Sequence, residues 1–218
     1  MKKTKFLLTL VALALTFNST KAQEFTASAD LISSYVWRGS ELSGVSVQPT
    51  LDFTVGGFSV GAWGSAGFDG YLESDLYVSY MFDFGLSFGV TDYYFPSLGY
   101  RYFDYSKETG AHALEANLGY TVGGLTLAAN YIFNEAGGVA STGGDKYFEV
   151  GYAFEKFNIF VGAGDGWHTS DGEFGLVNVG VSTTKEIKIT DSFSIPLTAS
   201  AILNPEKEQF FIVAGISL

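Results

Sequence analysis

Cysteine is absent from the 218 residues, so there is neither a disulfide framework nor a thiolate metal site. Histidine is nearly absent, with two residues, His112 and His168, far from any ligand spacing; no transition-metal site is expected, and no cofactor. No apolar run reaches the ~20 residues that a membrane-crossing helix needs. The most telling shortage is positive charge. Beyond residue 22 the basic residues are Arg38, Arg101, Lys107, Lys146, Lys156, Lys185, Lys188 and Lys207, each in or beside a stretch that reads as a turn or loop. A water-soluble β protein sets lysines and glutamates along its outward polar faces, and here the strand middles have no basic residue.

What is there begins with a targeting segment. Lys2, Lys3 and Lys5 precede an apolar core over Phe6–Phe17, and Thr20-Lys21-Ala22 offers small residues at a cleavage site. Residues 1–22 are therefore expected to be a signal peptide, without the cysteine of a lipoprotein leader, and 23–218 a single barrel domain. The leader takes four of the twelve basic residues and none of the 23 acids, leaving a net charge of −15. Such a chain has no basic patch for phosphates, so nucleic acid is not an expected partner.

The remaining sequence alternates with a period of two. In 124–134 Leu125, Leu127, Ala129, Tyr131 and Phe133 share one face. Phe148, Val150, Tyr152 and Phe154 repeat the pattern, as do Phe210, Ile212, Ala214, Ile216 and Leu218; a helical period fits none of these. The opposite faces are mainly Ser, Thr, Gly, Ala and Asn. Twelve strands are predicted at 25–37, 45–55, 58–67, 71–82, 84–94, 111–122, 125–134, 146–154, 157–164, 174–184, 193–203 and 208–218. Their connectors alternate between tight turns such as Val55-Gly56-Gly57-Phe58 and Val122-Gly123-Gly124-Leu125 and longer polar loops such as 95–110 and 135–145. Glycine pairs supply the positive φ of two-residue hairpins. The predicted fold is all-β: an antiparallel transmembrane β-barrel of about 12 strands with short periplasmic turns and longer extracellular loops, apolar outside and hydrated inside. Aromatics beside the turns (Phe58, Phe82, Phe84, Tyr120, Phe154, Phe157, Phe193) and towards the loops (Tyr35, Trp37, Tyr93, Tyr94, Tyr131, Phe133, Phe148) read as two interface girdles, and His112 is expected in the loop-side one. The closing strand ending on Leu218 fits an outer-membrane barrel.

Two stretches carry a family resemblance. Ser33-Ser34-Tyr35-Val36-Trp37-Arg38-Gly39, followed by Val47-Gln48-Pro49-Thr50-Leu51-Asp52-Phe53, resembles the opening of the TorF-type porin family of bacteria. The end, from Lys185-Glu186-Ile187-Lys188 through Asn204-Pro205-Glu206, looks like Bacteroidetes members of that group. The resemblance implies a Gram-negative outer-membrane barrel with a pore role. It implies neither catalytic residues nor a substrate.

Parity places Asp52, Trp63, Glu73, Asp75, Tyr77, Glu115 and Glu149 on the inward face, with Arg38 as a possible partner for one of the acids. A charge facing mid-membrane lipid costs ~2–4 kcal/mol for Arg or Lys and less for acids, so the acids belong inside. Twelve strands ~4.8 Å apart at ~40° tilt give a backbone radius of ~12 Å. Small inward residues then leave a narrow passage whose acids favour cations or neutral solutes. The expected partners are the outer-membrane bilayer and small solutes or ions; the oligomeric state is not legible. Two alternatives are an esterase using Ser170 and His168, and a closed structural or adhesive barrel acting through its outer loops. The first arises because Trp167-His168-Thr169-Ser170-Asp171-Gly172 resembles the His-x-Ser-Asn-Gly run of outer-membrane phospholipases, with Asn178 able to orient the ring. Against it, Asp171 stands where those enzymes have Asn, and Ser-Asp-Gly is a common turn. Asp165, Asp171 and Glu173 could hold Ca²⁺, but acids and glycine are ordinary loop composition.

Overall fold

Period-two alternation produces strands here because each pleat turns one residue to each side. A computed structural model describes residues 23–191 and 193–218; the expected leader, 1–22, lies outside them. The strands are β1 (Gln23–Ile32), β2 (Tyr35–Trp37), β3 (Ser40–Ser43), β4 (Ser46–Val55), β5 (Phe58–Gly67), β6 (Leu72–Met81), β7 (Leu86–Tyr94), β8 (His112–Val122), β9 (Leu125–Ile132), β10 (Lys146–Ala153), β11 (Asn158–Gly164), β12 (Gly175–Lys188), β13 (Ser194–Asn204) and β14 (Gln209–Ser217). Among the described residues, β1 and β4–β14 form a closed antiparallel barrel of twelve strands, and β2 and β3 form a separate hairpin.

Most barrel strands are joined to their chain neighbours by full-length ladders. The closing pair is short: β1 meets β14 through Asp30 with Ser217, Leu31 with Ile216 and Ile32 with Gly215. Two bonds between Ala29 and Leu218, and one from the Ser33 amide to the Ala214 carbonyl, extend that seam. The Ser33 hydroxyl accepts from the Ala214 amide in turn.

The register fixes the faces. Leu51, Val60, Leu76, Phe88, Leu118, Leu127 and Val150 lie on the outward side and are exposed. They form the continuous apolar girdle of a lipid-facing barrel. The inward side in the turn-rim half is built of small residues, among them Ser59, Ser79, Gly89, Gly119, Thr126, Gly151 and Ser200.

Two expectations need correction. The first strand does not run over 25–37. It stops at Ile32, and Tyr35–Trp37 turns back as β2 to pair with β3. The predicted loop 38–44 thus contains half of a hairpin. Consequently Tyr35, Trp37 and Tyr93 are not interface aromatics, because Tyr35 and Tyr93 are buried and Trp37 packs on Tyr93 at 5.7 Å between ring centres. His112 does lie on the outward side by register, opposite Tyr94, but residues of the 95–111 loop cover it. Tyr105 stacks on its ring at 4.1 Å, Nδ1 sits 2.7 Å from Asp92, and Nε2 faces the Tyr102 carbonyl. Tyr131, Phe133 and Phe148 do form the exposed loop-side girdle.

The outward face predicts a one-sided sensitivity to charge. Val150→Arg, in mid-strand on the girdle, should lower unfolding free energy in lipid by ~2–4 kcal/mol, whereas Ser200→Arg on the inward face should cost markedly less. Denaturant titration of both variants in vesicles checks this; equal losses would place the girdle on the wrong face.

Candidate functional site

The site is built from the β2–β3 hairpin. Its tip, Trp37-Arg38-Gly39, has Arg38 at φ 49° and Gly39 at φ 82°. Gly39 is required twice over, since a Cβ there would lie 1.9 Å from the Val177 carbonyl oxygen on the far wall. The Gly39 carbonyl accepts a 3.0 Å bond from Asn204 Nδ2, and Ser40 Oγ accepts one from Lys207 Nζ. The hairpin leaves the wall between β1 and β4 and reaches β8, β10, β12 and β13 across the interior.

Arg38 anchors it. Its guanidinium forks onto the Glu115 carboxylate through Nη1 at 2.6 Å and Nη2 at 2.8 Å. The fork lies between two rings, with Cζ 4.4 Å from the centre of Trp37 and 4.5 Å from that of Tyr147. Glu115 also accepts from Tyr93 Oη at 2.9 Å and from Asn117 Nδ2 at 2.7 Å. Asn117 in turn joins Thr91 and Asn130. Four hydrogen bonds around one buried carboxylate, two of them from a bidentate arginine, offset the desolvation that an isolated buried charge would suffer.

The seven residues singled out from parity all lie on the face opposite the girdle. They divide into four groups. Glu115 belongs to the arginine cluster. Glu149 takes bonds from Tyr147 Oη at 2.5 Å and Asn178 Nδ2 at 3.0 Å on the adjoining wall. Glu73 and Asp75 are buried beside the hairpin's other end; Tyr71 Oη donates to Glu73 at 2.6 Å, and Trp63 packs against Tyr35 at 5.4 Å. Burial and the neighbouring Glu73 push the Tyr71 hydroxyl well above its ordinary value, which keeps it a proton donor. Asp52 accepts from Ser59 at 2.7 Å nearer the turn rim. Tyr77 pairs with Gly61, where a Cβ would lie 2.4 Å from the Tyr77 hydroxyl, so the ring folds flat over the glycine. Asn117 and Tyr147 were not singled out from the sequence, Tyr93 was assigned to the interface girdle and Asn178 only to the esterase alternative, although the alternation puts Tyr93, Asn117 and Tyr147 on the same face.

Above the hairpin the long loops close in. Tyr93, Ala113, Ile132, Ala136 and Val139 form a buried apolar cluster on which Trp37, Phe95 and Trp167 pack. His168 lies in the 3₁₀ turn Gly166–His168, buried between Trp37 at 5.3 Å and Tyr147 at 5.2 Å. Burial, helped by Arg38, lowers its pKa to about 3, so it is neutral. Its Nε2 has no hydrogen-bond partner. Ser170 is exposed and bonds Glu206 through its amide and hydroxyl, and Asn178 bonds Tyr147 and Glu149. The three groups of the esterase alternative thus each have other surroundings. Asp165 is engaged by Lys146.

The model of the Gcw_chp family, described as bacterial protein of unknown function, matches residues 17–198. No curated protein matches the chain. Among solved structures, the chain is similar to OccK8 (OprE) of Pseudomonas aeruginosa at 15% identity and a TM-score of 0.41, covering 88% of this chain and 62% of that one. It is also similar to a mutant of the Rh. blastica porin at 9% identity and a TM-score of 0.42, covering 93% of this chain and 79% of that one.

Removing one partner of the buried pair should be costly. Arg38→Ala or Glu115→Ala is expected to lower stability by about 3–5 kcal/mol, and the double variant by clearly less than the sum; denaturant unfolding of the three variants measures the coupling. His168 sets a pH dependence. Between its ordinary value of 6.5 and about 3 the unfolded chain binds a proton that the folded chain excludes. In that window the group costs the folded state about 1.4 kcal/mol for each pH unit of acidification, and nothing above it. His168→Phe keeps a ring and forfeits no bond at Nε2, so the difference between its stability–pH curve and that of the parent should show this slope. Parallel curves would place His168 in water.

Proposed function

We propose that this chain, which belongs to the Gcw_chp family of bacterial proteins of unknown function, is an outer-membrane channel for small solutes. Residues 1–22 direct its export, the short turns face the periplasm, and the long loops face outward. The inward hairpin is the constriction. Towards the turn rim the lumen is lined mostly by small side chains, and Asp52, Trp63, Glu73, Asp75, Tyr77, Glu115 and Glu149 are among its larger lining residues. The resemblance of the opening motif to TorF-type porins supports the same role, and that motif supplies the constricting tip.

The observation that carries the proposal is charge balance inside the wall. Among the described barrel residues Glu24, Asp30, Asp52, Glu73, Asp75, Glu115 and Glu149 share the inward face, and one of them, Glu115, is paired with an arginine. A narrow passage with uncompensated acids favours cations and neutral solutes and repels anions. Selectivity here is electrostatic and steric; no bond is made or broken, and no enzymatic step is proposed.

A second reading has its own observation. The hairpin and the apolar cluster beneath the loops fill the outer end of the lumen, as a closed barrel acting through its loops would require. Planar-bilayer recording separates the two. The channel is expected to show a small conductance with a cation-selective reversal potential under a salt gradient. Asp52→Asn with Glu149→Gln should move that potential towards zero, and Glu115→Gln, which loosens the hairpin anchor, should enlarge the conductance. Anion preference would overturn the channel. Silence in both the parent and Glu115→Gln would select the closed barrel.

A further inference from the structure

At the outer mouth the hairpin, the start of β6 and the loops enclose a cavity of about 330 Å³. Its walls include Trp37, Tyr71, Phe95 and Trp167, and its carboxylates are Glu41 and Glu73. We propose that this cavity binds an organic cation with an aromatic or compact apolar body, an amine or quaternary ammonium of modest size.

Three features select that class. The walls are rings, whose faces attract a cation when water is excluded. The rings are held in place by their neighbours. Tyr71 is edge-on to Phe95 at 6.4 Å and Phe95 to Trp167 at 6.2 Å, while Trp167 Nε1 donates to the Ala140 carbonyl. A pocket with its side chains already ordered loses little entropy on binding. The third feature is charge. Glu73 lines the cavity and is 4% exposed, and Glu41 stands at its exposed rim. Among the described residues no basic side chain forms an ion pair with Glu41, Glu73 or Asp75. Lys207 also lines the cavity, but its ammonium donates to Ser40 Oγ at the hairpin, leaving two carboxylates against one ammonium. An anion would meet this excess of negative charge, and a neutral aliphatic solute would use neither the rings nor the acids. The cavity lies directly over the hairpin, so its occupant is the solute class presented to the proposed constriction. That placement rests on the channel proposal, whereas the binding itself does not.

Isothermal titration of the refolded full barrel in detergent tests it, with benzyltrimethylammonium as the probe, phenylacetate as the ring with opposite charge, and tetramethylammonium as the charge without a ring. Benzyltrimethylammonium should bind saturably with one site. Phenylacetate should not bind, and tetramethylammonium should bind at least about tenfold more weakly than the probe. Glu73→Gln and Trp167→Leu are each expected to weaken the probe about tenfold. Glu41→Gln, at the exposed rim, should weaken it about threefold and keeps the test available if Glu73→Gln does not fold. Phenylacetate binding as tightly as the probe, or unchanged affinity in the folded Glu variants, would overturn the site. Because the titration uses neither membrane nor gradient, binding without conductance removes the channel and leaves the site, and conductance without binding removes the site alone.

Discussion

Everything in this molecule follows from the requirement that each backbone N–H and C=O facing hydrocarbon find its partner within the chain. In lipid an unmatched group costs several kcal/mol, and a sheet meets the requirement by closing on itself. Closure then dictates the side chains. Once the ladders are joined from β4 round to β14 and β1, alternate residues have no choice but lipid or lumen. The exposure of Val150, Leu127 and Phe88 is therefore the correct state for the outside of such a wall. Acids at Asp52 or Glu149 are tolerated because the same register turns them inward.

The lumen faces a different constraint. A cylinder of ~12 Å backbone radius is too wide for small side chains to fill. The chain resolves this unevenly. In the turn-rim half the inward residues are small, and the larger rings lie flat, as Tyr77 does over Gly61. In the loop-rim half a hairpin from the chain's own beginning supplies the bulk. It is held by polar bonds from β8, from β13 and from the loop after β13, of which the Arg38–Glu115 fork is the ionic one. A buried ion pair is not a strong source of net stability, but it is demanding in geometry, since a Glu115 without its arginine would be a buried charge compensated by the Tyr93 and Asn117 bonds alone. The pair thus serves to fix one position of the hairpin.

Period two made most of this legible before any coordinates. β5, β8 and β14 fall within a residue or two of their predicted bounds, and the seven lumen candidates lie on one face because parity is preserved along the strands that carry them, β4, β5, β6, β8 and β10. At the long-loop ends the pattern misled. Tyr35-Val36-Trp37 continues the alternation of β1 without a break, so nothing in periodicity marks the departure of the chain at Ser33. The available signal was chemical. Arg38 and Gly39 form an arginine that lipid would reject beside a residue suited to positive φ, and together they argue for an inward turn. His112 shows the complementary limit. Its outward position is evident from register, but its burial depends on Tyr102 and Tyr105, which the 95–111 loop brings down over the strand end, and loop paths are not written in local alternation.

The hairpin and the short seam are two sides of one event. If β1 continued past Ser33 in register with Gly215 and Ala214, residues 34–38 would lie alongside Gln209–Val213 of β14. Instead the ladder ends with the Ser33–Ala214 bonds, and Gln209–Val213 has no ladder partner on that side among the described residues. The backbone bonds withheld from the wall are offset inside it, by the β2–β3 ladder, the Gly39–Asn204 bond and the Arg38 fork. Phe210 and Ile212, beside this shortened seam, are among the most exposed apolar side chains of the barrel strands, as expected where a neighbouring strand that would have shielded them has turned away. The wall is thus thinnest next to the element that narrows the lumen, and the residues that would have completed the one are those that obstruct the other.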